Sequence, residues 1–176
     1  TIITGPNGSG KSTLIGLLSG IFYPTNGKVE VYSKKVGYIS ATPLIINSNI
    51  KENILYGSDT ELSDQDILNL LKEFEVYTDD DSYDLERPIS NKTLSTGQMQ
   101  KISFIRALAS QSEILILDES MSNLDIKTKT MIYKILSKRG LTIVNSTHNV
   151  DEIPKYDYHI SIEKNDELSV PTYLLD

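Results

Sequence analysis

The 176-residue sequence contains no cysteine and only two histidines, His148 and His159. Disulfides, thiolate catalysis and cysteine zinc sites are therefore excluded, and a metal site built from several histidines is disfavoured. No apolar run approaches the roughly 18 residues that a membrane-spanning helix needs, so no segment is predicted to cross a bilayer. Basic residues are also outnumbered, with 17 Lys and Arg compared with 24 Asp and Glu. The resulting net charge of −7 argues against a nucleic-acid partner.

The remaining composition is that of an ordinary folded domain, with 39% hydrophobic and 23% charged residues. Apolar patterning predicts strands at residues 1–4, two within 28–40, and one each at 114–117 and 141–146. Helices are predicted at 11–19, after the capping pair Ser63 and Asp66, at 97–109 and at 125–138. A C-terminal hairpin turning at 164–166 and a solvated acidic loop at 79–81 complete the pattern. This alternation predicts an α/β fold with a mainly parallel sheet flanked by helices.

A glycine-rich turn follows the first strand and matches the phosphate-binding loop pattern. Its residues are Gly5, Pro6, Asn7, Gly8, Ser9, Gly10, Lys11 and Ser12, and Thr13 comes next in the predicted helix. Consecutive backbone N–H groups of such a loop surround phosphate oxygens, and the helix that follows adds its positive N-terminal end. We expect Lys11 to reach the β- and γ-phosphates and the Ser12 hydroxyl to hold Mg²⁺.

A second group of candidate residues follows the buried strand at 114–117. Asp118 and Glu119 come directly after it, at the edge where a parallel sheet places its ligands. Given the phosphate loop upstream, Asp118 is predicted to coordinate Mg²⁺. Glu119 is predicted to orient or deprotonate an attacking water.

Residues 94–98, Leu-Ser-Thr-Gly-Gln, resemble the LSGGQ signature of the ATP-binding cassette (ABC) ATPases. The segment 122–125 is similar to the family's D-loop, and His148 resembles its switch histidine. The resemblance extends along nearly the whole chain. It implies that His148 is catalytic and that Ser95, Gly97 and Gln98 contact nucleotide.

The resemblance also implies an architecture. The fold is that of P-loop NTPases, in which residues 1–46 and 111–176 form the core and residues from about 47 to 110 form a helical subdomain. Two such domains bind ATP and Mg²⁺ head to tail, so that the signature of one faces the phosphate loop of the other. Residues 37–54 are similar to the Q-loop region of exporter-type domains. Exporter domains act on a transmembrane domain at the cytoplasmic face of the cell membrane.

Three features depart from the family pattern. Ala41 occupies the position of the Q-loop glutamine, and Thr96 replaces the first glycine of the signature pair. The sequence also begins at the phosphate-loop strand, without the preceding strands and adenine-stacking aromatic of the family. We therefore expect this to be an N-terminally truncated domain or a piece of a longer transporter.

Two alternatives to the exporter ATPase remain open. Ala41 and Thr96 favour a degenerate or regulatory ABC domain that binds ATP and hydrolyses it slowly, whereas Glu119 and His148 argue against it. A non-transport ABC ATPase of translation or DNA repair is the other alternative. Such proteins usually carry a second cassette or a long coiled-coil insertion, and the exporter-like segment points away from them.

Overall fold

The structure is a computed structural model that describes residues 1–77, 83–163 and 172–175. The helices are α1 (Lys11–Leu18), α2 (Ile50–Leu55), α3 (Asp64–Glu73), α4 (Thr96–Ala109) and α5 (Ile126–Ser137), with a short 3₁₀ turn at Val150–Glu152. The strands are β1 (Ile2–Thr4), β2 (Val36–Ser40), β3 (Ser48–Asn49), β4 (Pro88–Ile89), β5 (Ile114–Asp118), β6 (Thr142–Ser146), β7 (His159–Glu163) and β8 (Thr172–Leu175).

Six strands form one sheet in the order β2-β5-β6-β1-β7-β8. The first five are parallel, and β8 pairs antiparallel with β7. Strands β3 and β4 form a separate antiparallel pair. The predicted α/β fold with a mainly parallel sheet is therefore confirmed.

The sheet is covered on both faces, as alternate residues of β5 show. Ile116 packs with Ile3 and Ile15 on the face that α1 covers. Leu115 and Leu117 belong to the larger core on the opposite face. That core continues without a break from β2 and β5 into the helices α2, α3, α4 and α5. Burial on both faces explains why β5 is an uninterrupted apolar run.

Side-chain caps determine where the helices begin. The Ser63 hydroxyl accepts a hydrogen bond from the Asp66 backbone N–H, which confirms it as the N-cap of α3. The reciprocal contact differs from a standard capping box, because the Ser63 hydroxyl donates to the Asp66 carboxylate at 2.6 Å. Asp125 caps α5 in the same way, by accepting from the Thr128 N–H.

One local prediction is wrong. Residues 28–40 were expected to form two strands, but only Val36–Ser40 is a strand. Val29 and Val31 alternate with polar residues as in a strand, yet both are exposed, and the adjacent Tyr32 is 99% exposed. A strand forms only where a neighbouring backbone completes its hydrogen bonds, and within the described residues nothing pairs with this segment. The acidic run 79–81 and the predicted turn 164–166 lie outside the described residues. Strands β7 and β8 pair antiparallel, with Glu163 opposite Thr172.

Candidate functional site

The glycine-rich loop joins β1 to α1 and has a backbone that only glycine accommodates at two points. Gly10 is the N-cap of α1 and adopts a left-handed conformation with φ of 97°. At Gly5, an added Cβ would lie 2.4 Å from the Ile162 carbonyl oxygen and 2.7 Å from Ser9 Oγ. The loop is therefore pressed against β7 on one side, and any side chain at Gly5 would displace it.

Two buried polar side chains of this loop fit an anionic ligand. Lys11 is only 5% exposed, and its ammonium donates to the carbonyl oxygens of Gly5 at 2.7 Å and Pro6 at 3.1 Å. Ser9 Oγ is buried and has no hydrogen-bond partner among the described residues. A buried hydroxyl without a partner is costly, and a phosphate oxygen is an acceptor that would satisfy it. The loop thus has the donors that phosphate recognition requires.

Three polar residues form a row across the carboxyl ends of β2, β5 and β6. Asp118 is paired in register with Ser40 on one side and Ser146 on the other. Ser12 reaches the same point from the start of α1, and its hydroxyl is 3.5 Å from Asp118 Oδ1. The Ser146 hydroxyl donates to the same oxygen at 3.2 Å. Hydroxyl and carboxylate oxygens are the hard ligands that Mg²⁺ prefers, so this donor set fits the ion.

The other oxygen of the Asp118 carboxylate is contacted by a residue that the sequence patterns did not single out. The Tyr38 hydroxyl donates to Asp118 Oδ2 at 3.1 Å. Burial, the nearby negative charge of Asp118 and this hydrogen bond raise the pKa of Tyr38 to about 12. The phenol is therefore a neutral hydrogen-bond donor at physiological pH.

Glu119, the residue after Asp118, contacts His148. His148 Nε2 lies 2.6 Å from Glu119 Oε1. Glu119 leaves β5 with a positive φ of 51°, and its backbone N–H donates to the Ser146 carbonyl at 3.2 Å. An unfavourable conformation at a residue of this kind is typical of functional positions. The structure thus brings together the two residues predicted to be catalytic.

The signature segment lies at the start of α4, on another part of the fold. Ser95 is its N-cap, with a reciprocal capping box between Ser95 and Gln98. Gln98 also donates its amide to the Val76 carbonyl at 3.1 Å. Helix α4 packs on β2 and α2, whereas α1 packs on β5 and β6. Strands β5 and β6 lie between β2 and β1, which separates β1 from β2 by about 14 Å at the usual strand spacing.

The loop after β2 carries the departure at Ala41. Ala41 and Thr42 line a surface pocket together with Ser12, Asp118 and Glu119, so the position faces the candidate site. The methyl group of Ala41 cannot accept or donate a hydrogen bond there. The end of β2 is instead held by α4, whose buried Gln100 side chain donates to the Ser40 carbonyl at 3.1 Å.

Comparisons with known proteins agree with this geometry. The family model described as ABC transporter matches residues 1–122. The chain belongs to the ABC transporter family. A lactococcin-A transport/processing ATP-binding protein of Lactococcus lactis is 34% identical over 84% of this chain and 23% of its own length. An ATP-dependent permease of Candida albicans is 33% identical over 88% of this chain and 26% of its own length. The chain therefore spans about a quarter of the length of these two relatives.

A solved structure of similar fold is a bacterial Atm1-family ABC exporter with ATP bound, at a TM-score of 0.79. It is 24% identical, and the match covers 91% of this chain and 31% of the exporter. Together these matches confirm the resemblance to exporter-type ATP-binding domains. Within the part of the chain that the structure describes, no helix of this ABC domain is long and apolar enough to cross a membrane.

Several contacts of the ABC domain were not anticipated from its motifs. The hydrogen bonds of Tyr38 and Ser146 to Asp118 join three different strands, and no local sequence pattern predicts such contacts. One signal was available in the sequence, because Tyr38 and Ser40 are two residues apart on one strand and must share a face. Their proximity to Asp118 depended on the pairing of β2 with β5, which the motifs do not specify.

Proposed function

We propose that this ABC domain binds and hydrolyses ATP with Mg²⁺, pairs head to tail with a second ABC domain, and powers export through a transmembrane domain at the cytoplasmic face of the membrane. The observation that carries this proposal is the convergence of Lys11, Ser12, Asp118, Glu119 and His148 at the carboxyl ends of the parallel strands. In this proposal all five residues belong to a core made of residues 1–46 and 111–176, and the helical subdomain consists of residues from about 47 to 110.

The phosphate loop holds the triphosphate in this proposal. Its N–H groups, the Lys11 ammonium and the Ser9 hydroxyl donate to phosphate oxygens. Ser12 and Asp118 hold Mg²⁺, which neutralises charge that develops on the phosphates when it is bound. Their oxygens are 3.5 Å apart, and both are hard ligands of the kind that would hold this ion.

Glu119 acts on the water that attacks the γ-phosphate. Its carboxylate accepts a proton from that water or holds the water in line with the γ-phosphorus. The bond from the water oxygen to the γ-phosphorus forms as the bond from the γ-phosphorus to the ADP oxygen breaks. His148 lies 2.6 Å from Glu119 and fixes the direction of that carboxylate. The in-line geometry depends on positioning, because phosphoryl transfer requires little covalent chemistry from the protein.

The signature completes the site from the partner domain. Ser95 and Gly97 lie at the N-terminus of α4, which β2 supports, and the phosphate loop lies three strands away. This separation within one chain supports a head-to-tail pair in which Ser95, Gly97 and Gln98 face the nucleotide of the other domain. The positive end of α4 adds attraction for phosphate.

A surface groove beside β2 is the feature that favours a transmembrane domain as partner. The groove is lined by Pro43 and Leu44 of the exporter-like segment, by Tyr56 at the C-terminal end of α2 and by Arg106 of α4. Leu44 and Tyr56 are each about half exposed, at 56% and 51%. Exposed apolar side chains that border a groove are typical of an interface with another protein segment.

The test is complementation between two inactive variants. A Lys11→Ala domain loses its phosphate loop and a Ser95→Arg domain loses its signature, so each alone should be almost inactive. Their heterodimer contains one intact site, and random mixing should restore at most roughly a quarter of the unmodified ATPase activity for a two-fold dimer.

Ser137→Arg is the matched control, because it places the same side chain at the exposed C-terminal end of α5 and should leave turnover unchanged. Dimer formation with ATP is followed by analytical ultracentrifugation. If dimers form and the mixture is as inactive as its components, Ser95 does not act across the dimer.

A second candidate function is a regulatory ABC domain with slow hydrolysis. Ala41 favours it, because it lines the pocket beside Asp118 without a polar group. Thr96 favours it as well, since its branched side chain is exposed at the start of α4, where a partner nucleotide would approach. Dimers that hold ATP but turn it over no faster than the Lys11→Ala variant would support this candidate.

A further inference from the structure

The carboxylate of Asp118 is held by hydroxyl groups from three separate elements. Ser12 at the start of α1 and Ser146 at the end of β6 both donate to Oδ1, at 3.5 Å and 3.2 Å. Tyr38 of β2 donates to Oδ2 at 3.1 Å. The two oxygens therefore have different surroundings, with Oδ1 turned toward α1 and Oδ2 turned toward the edge strand.

The position of the Tyr38 hydroxyl is determined by the sheet. Tyr38 pairs in register with Ile116, two residues before the Ser40–Asp118 pair on the same strands. Its side chain therefore lies on the same face as Asp118, and the ring extends along the sheet to the carboxylate. Ser40 is nearer along the strand, but its hydroxyl donates to the Thr42 carbonyl at 2.6 Å. The contact of β2 with the Asp118 carboxylate thus runs through Tyr38.

We propose that Tyr38 is a positioning residue that orients the Asp118 carboxylate and thereby sets the affinity of the nucleotide-bound site for its divalent cation. This inference rests on the proposed role of Asp118 as a metal ligand. The terminal torsion of aspartate is soft, so an unrestrained carboxylate samples a broad range of planes. A donor on Oδ2 restricts that range and keeps Oδ1 directed toward Ser12. Groups that hydrogen-bond to a metal ligand commonly change metal affinity by about 10- to 100-fold.

Ala41 makes this contact more important in the present chain. The loop after β2 lines the pocket with Ala41 and Thr42, so position 41 cannot supply a polar side chain to the cation. Tyr38 provides a fixed polar group from the same strand. The restraint on Asp118 Oδ2 then comes from a phenol anchored in a sheet rather than from a loop.

The experiment compares Tyr38→Phe with the unmodified protein. The affinity of Mn²⁺, a paramagnetic substitute for Mg²⁺, for the protein–ADP complex is measured by electron paramagnetic resonance of free Mn²⁺. We expect the Mn²⁺ dissociation constant of Tyr38→Phe to rise about tenfold. ADP affinity measured in EDTA should stay within about twofold, because the substitution leaves the phosphate loop intact. A general structural defect would weaken both measurements together.

Tyr32→Phe is the matched control, since Tyr32 is 99% exposed and the same hydroxyl is removed. Its Mn²⁺ affinity should equal that of the unmodified protein. Asp118→Asn separates this inference from the proposed function, because it should lower Mn²⁺ affinity more than Tyr38→Phe does. If Asp118→Asn weakens Mn²⁺ binding and Tyr38→Phe does not, the positioning role is wrong and the metal site stands. If neither variant changes Mn²⁺ binding, both the metal role of Asp118 and the role of Tyr38 are wrong.

Discussion

The packing of β2 against its neighbours can be tested by adding one methyl group at Gly37. Gly37 lies in β2, and a Cβ there would be 2.7 Å from Ser112 Oγ, 2.9 Å from Leu115 Cδ2 and 3.1 Å from Ala107 Cβ. Ala107 belongs to α4, the helix that begins at the signature. Gly37→Ala therefore requires the side chains of Ser112 and Leu115, and to a lesser degree Ala107, to give way, and it tests how tightly the surroundings of β2 are packed.

The expected loss follows from two opposing effects. Overfilling a packed core costs about 1–3 kcal/mol, and the neighbours here are buried and leave little room to adjust. Replacing glycine by alanine also restricts the unfolded chain, which offsets about 0.4–1 kcal/mol. We expect a net loss of about 1–2 kcal/mol in the free energy of unfolding. For a chain of this length that lowers Tm by roughly 2–8 °C.

Urea denaturation followed by circular dichroism measures the change. Gly97→Ala is the matched control, because the nearest atoms to its added Cβ are Leu124 Cδ2 at 3.9 Å and Ser95 Oγ at 4.0 Å. Gly97 also lies in the first turn of α4, so alanine there should stabilise by about 0.5–1 kcal/mol. If Gly37→Ala unfolds within about 0.5 kcal/mol of the unmodified protein, the space around Gly37 is less tightly filled than these distances indicate.

Three further predictions concern Gln98, Asp125 and Ala41. Gln98→Ala should cost about 1–3 kcal/mol of stability, because the Val76 carbonyl and the Ser95 N–H both lose a partner. Gln98→Glu should cost less, since it keeps the acceptor for the Ser95 N–H, and equal urea midpoints for the two variants and the unmodified protein would contradict the capping contact. Hydrogen bonds from the Thr128 side chain and backbone lower the pKa of Asp125 below 3.8. The stability that this carboxylate contributes is therefore present above pH 3.8 and is lost as pH falls through the folded-state pKa, and an NMR titration that gives a pKa at or above 3.8 would refute the capping role. Ala41→Gln should raise ATP turnover and leave ATP affinity nearly unchanged; flat turnover in a protein that dimerises with ATP would show that position 41 is not the Q-loop glutamine position.

The local features of this protein were determined by its sequence alone. The strand–loop–helix unit around Lys11 depends on neighbouring residues, since the glycines permit the turn and the helix begins at once. The caps at Ser63 and Asp125 act within three residues and were likewise predictable. The apolar run of β5 identified a buried strand that ends at Asp118, because a strand covered on both faces needs no polar alternation.

The tertiary structure alone decided which distant residues meet. The register that places Ser40, Asp118 and Ser146 in one row comes from pairing three strands across more than a hundred residues of sequence, and no local pattern specifies it. The same register brings Tyr38 to Asp118. Residues 28–32 show the reverse case, in which a strand-like alternation forms no strand because no described neighbour completes its hydrogen bonds. Sheet formation is a long-range interaction, so its partners become known only when the chain is folded.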